Sequence, residues 1–171
     1  MVLSGTVNNG RSADDFEAVG AGSVWTEPAK AVHFTGCAEG SDCVFVAYFN
    51  GALGMTPAEA PAEGELSMTY TAASDLDFQP VNPDKPEGPG MVVVGGDMAT
   101  GPFQAVVKFP AGATSPEHTH TATYHAAVVS GTMTHGSAEA LGAGSSWTTV
   151  AGDVHTTGCV SDTPCVFFVS M

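Results

Sequence analysis

Three histidines are crowded into one short stretch of this sequence. His118, His120 and His125 fall within SPEHTHTATYHAAVVSG, although the whole chain of 171 residues has six histidines. Side chains two apart in a strand share a face, so His118 and His120 can chelate one ion, and His155 can join them from a distant strand. Imidazole suits transition metals better than Mg or Ca, which prefer oxygen ligands. The alternative is a polar strand end with exposed rings.

Short apolar runs must position these histidines. Segments rich in Val, Phe, Thr and Tyr, such as CVFVAYF, FQAVVKFP, YHAAVVSG and CVFFVSM, are separated by turns that use many of the 21 Gly and 11 Pro. Long stretches with helical periodicity are too scarce to predict an amphipathic helix. The pattern predicts an all-β protein, either a sandwich or a barrel.

The sequence also repeats internally. Residues 20–46 recur as residues 142–169, with an offset of 122 between the matching Trp, His and Cys residues, and LSGTVNNG at 3–10 recurs as VSGTMTHG at 129–136. The matched residues include Trp25, His33, Cys37 and Cys43 in the first copy and Trp147, His155, Cys159 and Cys165 in the second. This indicates an internal duplication.

The two copies are unequal in length. Residues 91–171 form a complete unit, whereas residues 1–54 match only its back half, and the Pro- and Glu-rich residues 55–90 connect them. A partial unit leaves strand edges open, so we expect it to be covered by the complete unit or by another chain. A homo-oligomer is the expected assembly.

Two segments of the complete unit resemble the motifs of the cupin superfamily. GATSPEHTHTATYHAAVVSG, residues 112–131, is similar to G-x5-H-x-H-x3/4-E-x6-G, and GSSWTTVAGDVH, residues 144–155, is similar to G-x5-P-x-G-x2-H with Val in place of Pro. The resemblance implies an RmlC-like jelly-roll barrel, a double-stranded β-helix, with a metal near one mouth. Cupins akin to that of the anti-sigma factor ChrR, and uncharacterised bicupins with a truncated first barrel, look most similar.

The glutamate of the first cupin motif is absent here. Counting forward from His120 puts His125 in its place, while counting back from Gly131 puts Tyr124 there. A shift of one residue reverses the face of a strand, so the two alternatives exclude one another. We favour His125, since a tyrosine ordinarily loses its proton only near pH 10. The predicted ligands are therefore His118, His120, His125 and His155, with Tyr124, Met133 and Trp147 as an alternative ligand or pocket lining.

Four other polar residues are weaker candidates. His33 matches His155 but has no HxH partners, so a structural role is expected. His135 is predicted to be an exposed turn residue. Lys108 is predicted to face solvent, and Glu117 falls on the strand face opposite its neighbour His118.

The cysteines occur in two pairs of equal spacing. Cys37 and Cys43, and likewise Cys159 and Cys165, flank a polar turn before an apolar strand. A pair across a short loop can form a local disulfide, although free thiols are the alternative. Disulfides would favour a periplasmic or extracellular location.

Charge and hydropathy exclude several partners. Against 18 Asp and Glu stand 4 Lys and Arg, giving a net charge of −14, so nucleic acid and anionic membrane are not expected to bind. No apolar run approaches the roughly 20 residues of a membrane helix, and the first ten residues lack the pattern of a signal peptide. We expect a soluble protein.

Two functions fit these observations. The first is a metal-dependent enzyme, of dioxygenase, lyase, hydrolase or isomerase type, acting on a small oxygen-rich molecule. The second is a non-catalytic metal-binding or redox-sensing module. Both require one divalent transition metal such as Zn, Fe, Ni, Mn or Cu, and fold alone does not decide between them.

Overall fold

The computed structural model describes residues 1–58 and 68–171. Residues 59–67, part of the expected connector, lie outside the described residues. Strands dominate, and the one helical element described is a short 3-10 helix, Ala73–Asp75. The chain divides into two compact units, Met1–Asp75 (unit 1) and Leu76–Met171 (unit 2). In the described part of the chain, no helix has the length and apolar composition needed to cross a membrane.

Unit 1 is built from short antiparallel strands. They are β1 (Val2–Ser4), β2 (Thr6–Ser12), β3 (Asp15–Gly20), β4 (Val24–Thr26), β5 (Phe34–Cys37), β6 (Val44–Phe45) and β7 (Thr69–Thr71). They pair as β1–β6, β3–β2–β5 and β4–β7. Val2, Val7 and Val19 form a small buried core against which Trp25 and Tyr70 pack.

Unit 2 contains the longer strands. They are β8 (Gln79–Pro80), β9 (Gly90–Gly96), β10 (Phe103–Phe109), β11 (Tyr124–Ser130), β12 (Met133–His135), β13 (Ala138–Leu141), β14 (Ser146–Thr149), β15 (Thr157–Cys159) and β16 (Cys165–Ser170). One sheet has the order β14-β11-β16-β10-β9-β8, and a second has the order β13-β12-β15.

The apolar core of unit 2 follows the two-residue period of its strands. Every second residue of β10, β11 and β16 contributes to one buried cluster, including Ala105, Val107 and Phe109 from β10, Tyr124, Ala126 and Val128 from β11, and Cys165, Phe167 and Val169 from β16. Met133 from β12 and Cys159 from β15 belong to the same cluster. The clustering fixes which face of β11 points inward, and therefore which residue at its start can reach the histidines.

A disulfide closes a short loop in each unit, between β5 and β6 in unit 1 and between β15 and β16 in unit 2. Cys37 is bonded to Cys43 with a Cα–Cα distance of 5.4 Å, and Cys159 is bonded to Cys165 with a Cα–Cα distance of 5.6 Å. Cys159 and Cys165 are buried, whereas Cys37 is exposed. The two bridges therefore differ in their access to solvent.

The second described part of the expected connector, residues 55–90, contains the strands β7 and β8. β7 pairs with β4 in unit 1, and β8 pairs with β9 in unit 2. The boundary between the compact units falls inside this stretch, between Asp75 and Leu76.

Candidate metal centre

Three histidines of unit 2 converge on one point. One ring nitrogen from each of His118, His120 and His155 lies within 4.8 Å of the other two. His118 and His155 form an isolated antiparallel bridge, and their backbones exchange two hydrogen bonds of 3.0 Å. The His120 carbonyl accepts a 3.0 Å hydrogen bond from Gly152, which ties the HxH segment to the loop before His155. The expected grouping of these three residues is present in the structure.

Backbone carbonyls fix the tautomers of two of the rings. His118 Nδ1 lies 2.9 Å from the carbonyl oxygen of Pro116, and His155 Nδ1 lies 2.9 Å from that of Asp153. A carbonyl oxygen can only accept, so in the neutral ring each Nδ1 carries the proton and each Nε2 keeps its lone pair. A hydrogen bond from Nδ1 to a carbonyl oxygen orients the ring so that Nε2 can bind a metal.

The donor set fits a transition metal. Metal–nitrogen bonds of about 2.0–2.1 Å in a tetrahedron place ligand nitrogens about 3.3 Å apart, so rings spread over 4.8 Å must close by at most about 1.5 Å. His118 and His120 are half-buried, and rotation of their side chains can supply this movement. Three imidazoles without a carboxylate favour borderline metals over Mg or Ca.

His125 does not join this group, contrary to the sequence-based preference. Its side chain is exposed, and Nδ1 is 2.9 Å from the Thr148 hydroxyl on the neighbouring strand. The reason is strand parity. Tyr124 pairs with the buried Thr149, so His125, the next residue, pairs with the exposed Thr148 on the other face.

Tyr124 takes the inward position instead. Its side chain is 4% exposed, and its hydroxyl lies 3.3 Å from His155 Nε2. The indole Nε1–H of Trp147 donates to the same hydroxyl over 3.4 Å. The ring of Tyr124 also lies edge-on to that of His120, with centroids 4.8 Å apart. Of the two alternatives for the missing glutamate, the structure places Tyr124 at the centre.

His135 was predicted to be an exposed turn residue, and this was wrong. It lies half-buried in β12, with Nδ1 2.9 Å from the Thr157 hydroxyl and Nε2 2.8 Å from the Thr149 hydroxyl. Its ring stacks on Trp147 at 4.8 Å and lies 4.7 Å from His155. His135 is two residues after Met133, which is fully buried, so the same parity could have identified it.

Residues 69–169 match the family described as "Domain of unknown function (DUF4437)". The chain belongs to this family. No curated protein matches the sequence at a significant level.

Solved structures similar to this chain include several described as cupins. An RmlC-like cupin from Ralstonia eutropha JMP134 is 23% identical, with a TM-score of 0.50, and the match covers 57% of this chain and 64% of that one. The Rhodobacter sphaeroides complex of SigE with the anti-sigma ChrR is 17% identical, with a TM-score of 0.47, and the match covers 57% of this chain and 49% of that one. An RmlC-like cupin from Shewanella frigidimarina NCIMB 400 is 16% identical, with a TM-score of 0.47, and the match covers 58% of this chain and 87% of that one. The chain spans less than two thirds of the length of the first two of these proteins.

The similarity to the Ralstonia protein confirms the expected all-β fold of the cupin type. Two histidines in this region, His135 and His120, have lowered pKa values. Burial, followed by the charge that protonated neighbours would carry, lowers the pKa of His135 to about 4. The same two causes lower the pKa of His120. Their lone pairs are therefore available without competition from protons.

The remaining candidates are not members of the histidine group. Met133 belongs to the core of unit 2, and Trp147 forms a wall beside it. His33, in unit 1, lies 3.3 Å from a Glu27 carboxylate oxygen. Lys108 is exposed, with its ammonium 4.5 Å from the centre of the Phe78 ring, and Glu117 is exposed.

Proposed function

We propose that unit 2 binds one divalent transition metal through Nε2 of His118, His120 and His155. The observation that carries this proposal is the convergence of three ring nitrogens within 4.8 Å, two of them on rings whose Nδ1 is held by a backbone carbonyl. His125 is outside the ligand set we propose. The candidate metals are Zn, Fe, Ni, Mn and Cu.

The centre suits a metal-dependent enzyme acting on a small, oxygen-rich molecule. Three neutral ligands leave the charge of a divalent metal uncompensated and leave coordination positions for a substrate oxygen or water. A metal at this centre would supply Lewis acidity to that oxygen. Dioxygenase, lyase, hydrolase and isomerase chemistry all use such a centre. Half-buried His118 and His120 provide a solvent-facing rim through which a small molecule can enter.

Tyr124 supports a second candidate function. Its hydroxyl is 3.3 Å from His155 Nε2, close enough to become a fourth ligand after a small movement. A closed centre of three histidines and one phenolate would suit a non-catalytic metal-binding or redox-sensing module. The two functions therefore differ in whether an exchangeable coordination position exists.

Metal analysis tests the binding proposal. The purified chain should contain about one equivalent of a transition metal by mass spectrometry, either as isolated or after reconstitution with each of the five metals. His120→Ala should lose it, and His125→Ala, on the opposite face, should retain it. A wild-type chain that takes up none of the five metals would overturn the proposal.

We also infer that unit 1 is a partial second copy of the same cupin unit. Strand registers recur at the offsets of the sequence repeat: Val7↔Cys37, Asn8↔Gly36 and Asn9↔Thr35 in unit 1, Met133↔Cys159, Thr134↔Gly158 and His135↔Thr157 in unit 2. The irregular pairs Val2↔Phe45 and Ser4↔Val44 likewise match Val128↔Phe167 and Ser130↔Val166. Independent evolution of both registers and both disulfides would be a coincidence.

In this inferred second copy, polar side chains take the place of the metal centre. The Glu27 carboxylate accepts hydrogen bonds from Asn9 Nδ2 at 2.7 Å and from Trp25 Nε1 at 3.0 Å. Asn9 corresponds to His135 in the repeat, and His33 is the only histidine of residues 1–75. We therefore propose one metal per chain, held by unit 2.

Location and assembly are proposals of the same kind. Two disulfides support function in an oxidising compartment, such as the periplasm or the extracellular space. A homo-oligomer is supported by β6, where Val44 is 51% and Phe45 is 40% exposed on a strand for which the described residues show only β1 as a partner. Light scattering on the intact chain tests the oligomer, and a monomer at all concentrations would contradict it.

A further inference from the structure

The hydroxyl of Tyr124 has a defined hydrogen-bond direction. Trp147 Nε1–H can only donate, so it occupies a lone pair of the hydroxyl oxygen. His155 Nδ1 holds its proton against the Asp153 carbonyl, so His155 Nε2 can only accept. The hydroxyl proton of Tyr124 therefore points to His155 Nε2, which is 3.3 Å away. That nitrogen is the one assigned to the metal.

Metal binding would remove the acceptor of this hydroxyl. The lone pair of His155 Nε2 cannot serve a metal and a hydrogen bond at once. Tyr124 is 4% exposed, and a buried donor without an acceptor is costly, so the proton needs a new partner at the centre. An oxygen atom held in an open metal position would be such a partner.

We propose that Tyr124 is a ligand-binding residue whose hydroxyl donates a hydrogen bond to an oxygen of a small oxyanion, such as a carboxylate, bound at the metal centre. This proposal rests on the proposed function and deepens it, because it names the ligand class. In this role Tyr124 is a hydrogen-bond donor to the bound ligand and not itself a metal ligand.

Local charge favours an anion over a neutral ligand. The ligand group contains three imidazoles and no carboxylate, and His135, Thr149 and Trp147 lie behind it. A divalent metal would thus present its charge to the open side. The net charge of −14 opposes an anion, but exposed charges are screened over about 8–10 Å at ordinary salt. The attraction of the nearby metal for an anion therefore outweighs repulsion by the distant surface charges.

Cobalt substitution provides a readout that does not depend on activity. Co²⁺-loaded wild type, Tyr124→Phe and His125→Ala are titrated with acetate as the probe, and the visible d–d bands report its binding. All three should bind one Co²⁺. The dissociation constant for acetate should rise roughly 10- to 100-fold in Tyr124→Phe, the range for a lost hydrogen bond to a charged partner, and stay unchanged in His125→Ala.

The outcomes separate the two proposals. If wild type takes up no Co²⁺, the proposed function fails and this inference fails with it. If Tyr124→Phe loses Co²⁺, Tyr124 is a metal ligand and the inference is overturned while metal binding stands. Equal affinity for acetate in Tyr124→Phe and wild type also overturns it.

A second measurement, made on wild type, tests the inference even if Tyr124→Phe fails to fold. Acetate added to Co²⁺-loaded wild type should shift the tyrosine absorption band to longer wavelength, because the hydroxyl gains a stronger acceptor. Tyr124→Trp, which keeps an N–H donor, should show weaker binding of acetate than wild type and no tyrosine shift. A wild-type spectrum without the shift would overturn the inference.

Discussion

His118 and His155 face each other across a two-residue antiparallel bridge, with both backbone hydrogen bonds at 3.0 Å and their ring centroids 4.4 Å apart. Backbone pairing, and not side-chain contact alone, brings the two together. Loops before β11 and β15 therefore carry the centre on a fixed frame, and the third ring, His120, is 4.9 Å from His118 and 5.3 Å from His155.

The centre should couple metal binding to stability. A metal present at about 100 times its dissociation constant stabilises the folded state by about 2.7 kcal/mol. For a unit of this size, that amounts to a rise in melting temperature of roughly 10 °C or more. Adding a chelator should therefore lower the melting temperature of wild type and of His125→Ala, but not that of His155→Ala. A response of His155→Ala equal to that of wild type would contradict the ligand assignment.

Replacing His135 should destabilise unit 2 even without metal. Its two ring nitrogens contact the hydroxyls of Thr149 and Thr157, and each threonine is 5% exposed. His135→Ala leaves both hydroxyls without this partner, at a cost of about 2–4 kcal/mol in the free energy of unfolding. His135→Asn, the residue of the matching position Asn9, should cost less. Urea unfolding of chelator-treated protein measures both, and an unchanged midpoint for His135→Ala would refute this role.

The sequence predicted the fold and three of the centre's residues for identifiable reasons. Alternating apolar runs indicated strands, and His118 and His120 share a face at any register. The identity of the fourth residue depended on a shift of one residue along β11, which the motif spacing left open. In the structure Tyr124, and not His125, faces inward. His135 was missed because it was assigned from its nearby turn, although its parity with Met133 carried the signal.

Other features depend on contacts that no local pattern contains. β7 pairs with β4 across more than forty residues, with Trp25 opposite Tyr70. The hydroxyl of Tyr70 then donates to Asn9 Oδ1 at 2.9 Å. Neither Tyr70 nor Glu27 stands out in the sequence, because a polar residue within a short run reads as a solvent-facing strand position. Only the folded pairing shows that they join Asn9 in one network.

Alkaline pH should weaken unit 1 through Tyr70. Burial, and then the nearby carboxylates of Glu27, Glu17 and Asp15, raise the pKa of Tyr70 above 10.0. The unfolded chain therefore loses this proton at a lower pH than the folded chain does. The resulting stability is fully present below pH 10 and is lost as the pH rises through the folded pKa. Tyrosinate absorbance of wild type minus Tyr70→Phe should show a midpoint above that of the urea-unfolded chain, and equal midpoints would contradict the prediction.

The two disulfides should differ in their rate of reduction. An attacking thiolate must reach a sulfur atom, and Cys37 is exposed while Cys159 and Cys165 are 1% and 0% exposed. Mild reductant should open the Cys37–Cys43 bridge first and reach the Cys159–Cys165 bridge only when unit 2 unfolds. Alkylation followed by peptide mass spectrometry distinguishes them, and simultaneous reduction in the folded chain would count against this order.

Each disulfide loop is short, so either bridge should contribute about 2 kcal/mol to the free energy of unfolding. Urea unfolding of Cys37→Ser/Cys43→Ser therefore isolates the share of unit 1, and its metal content should equal that of wild type because all three proposed ligands lie in unit 2.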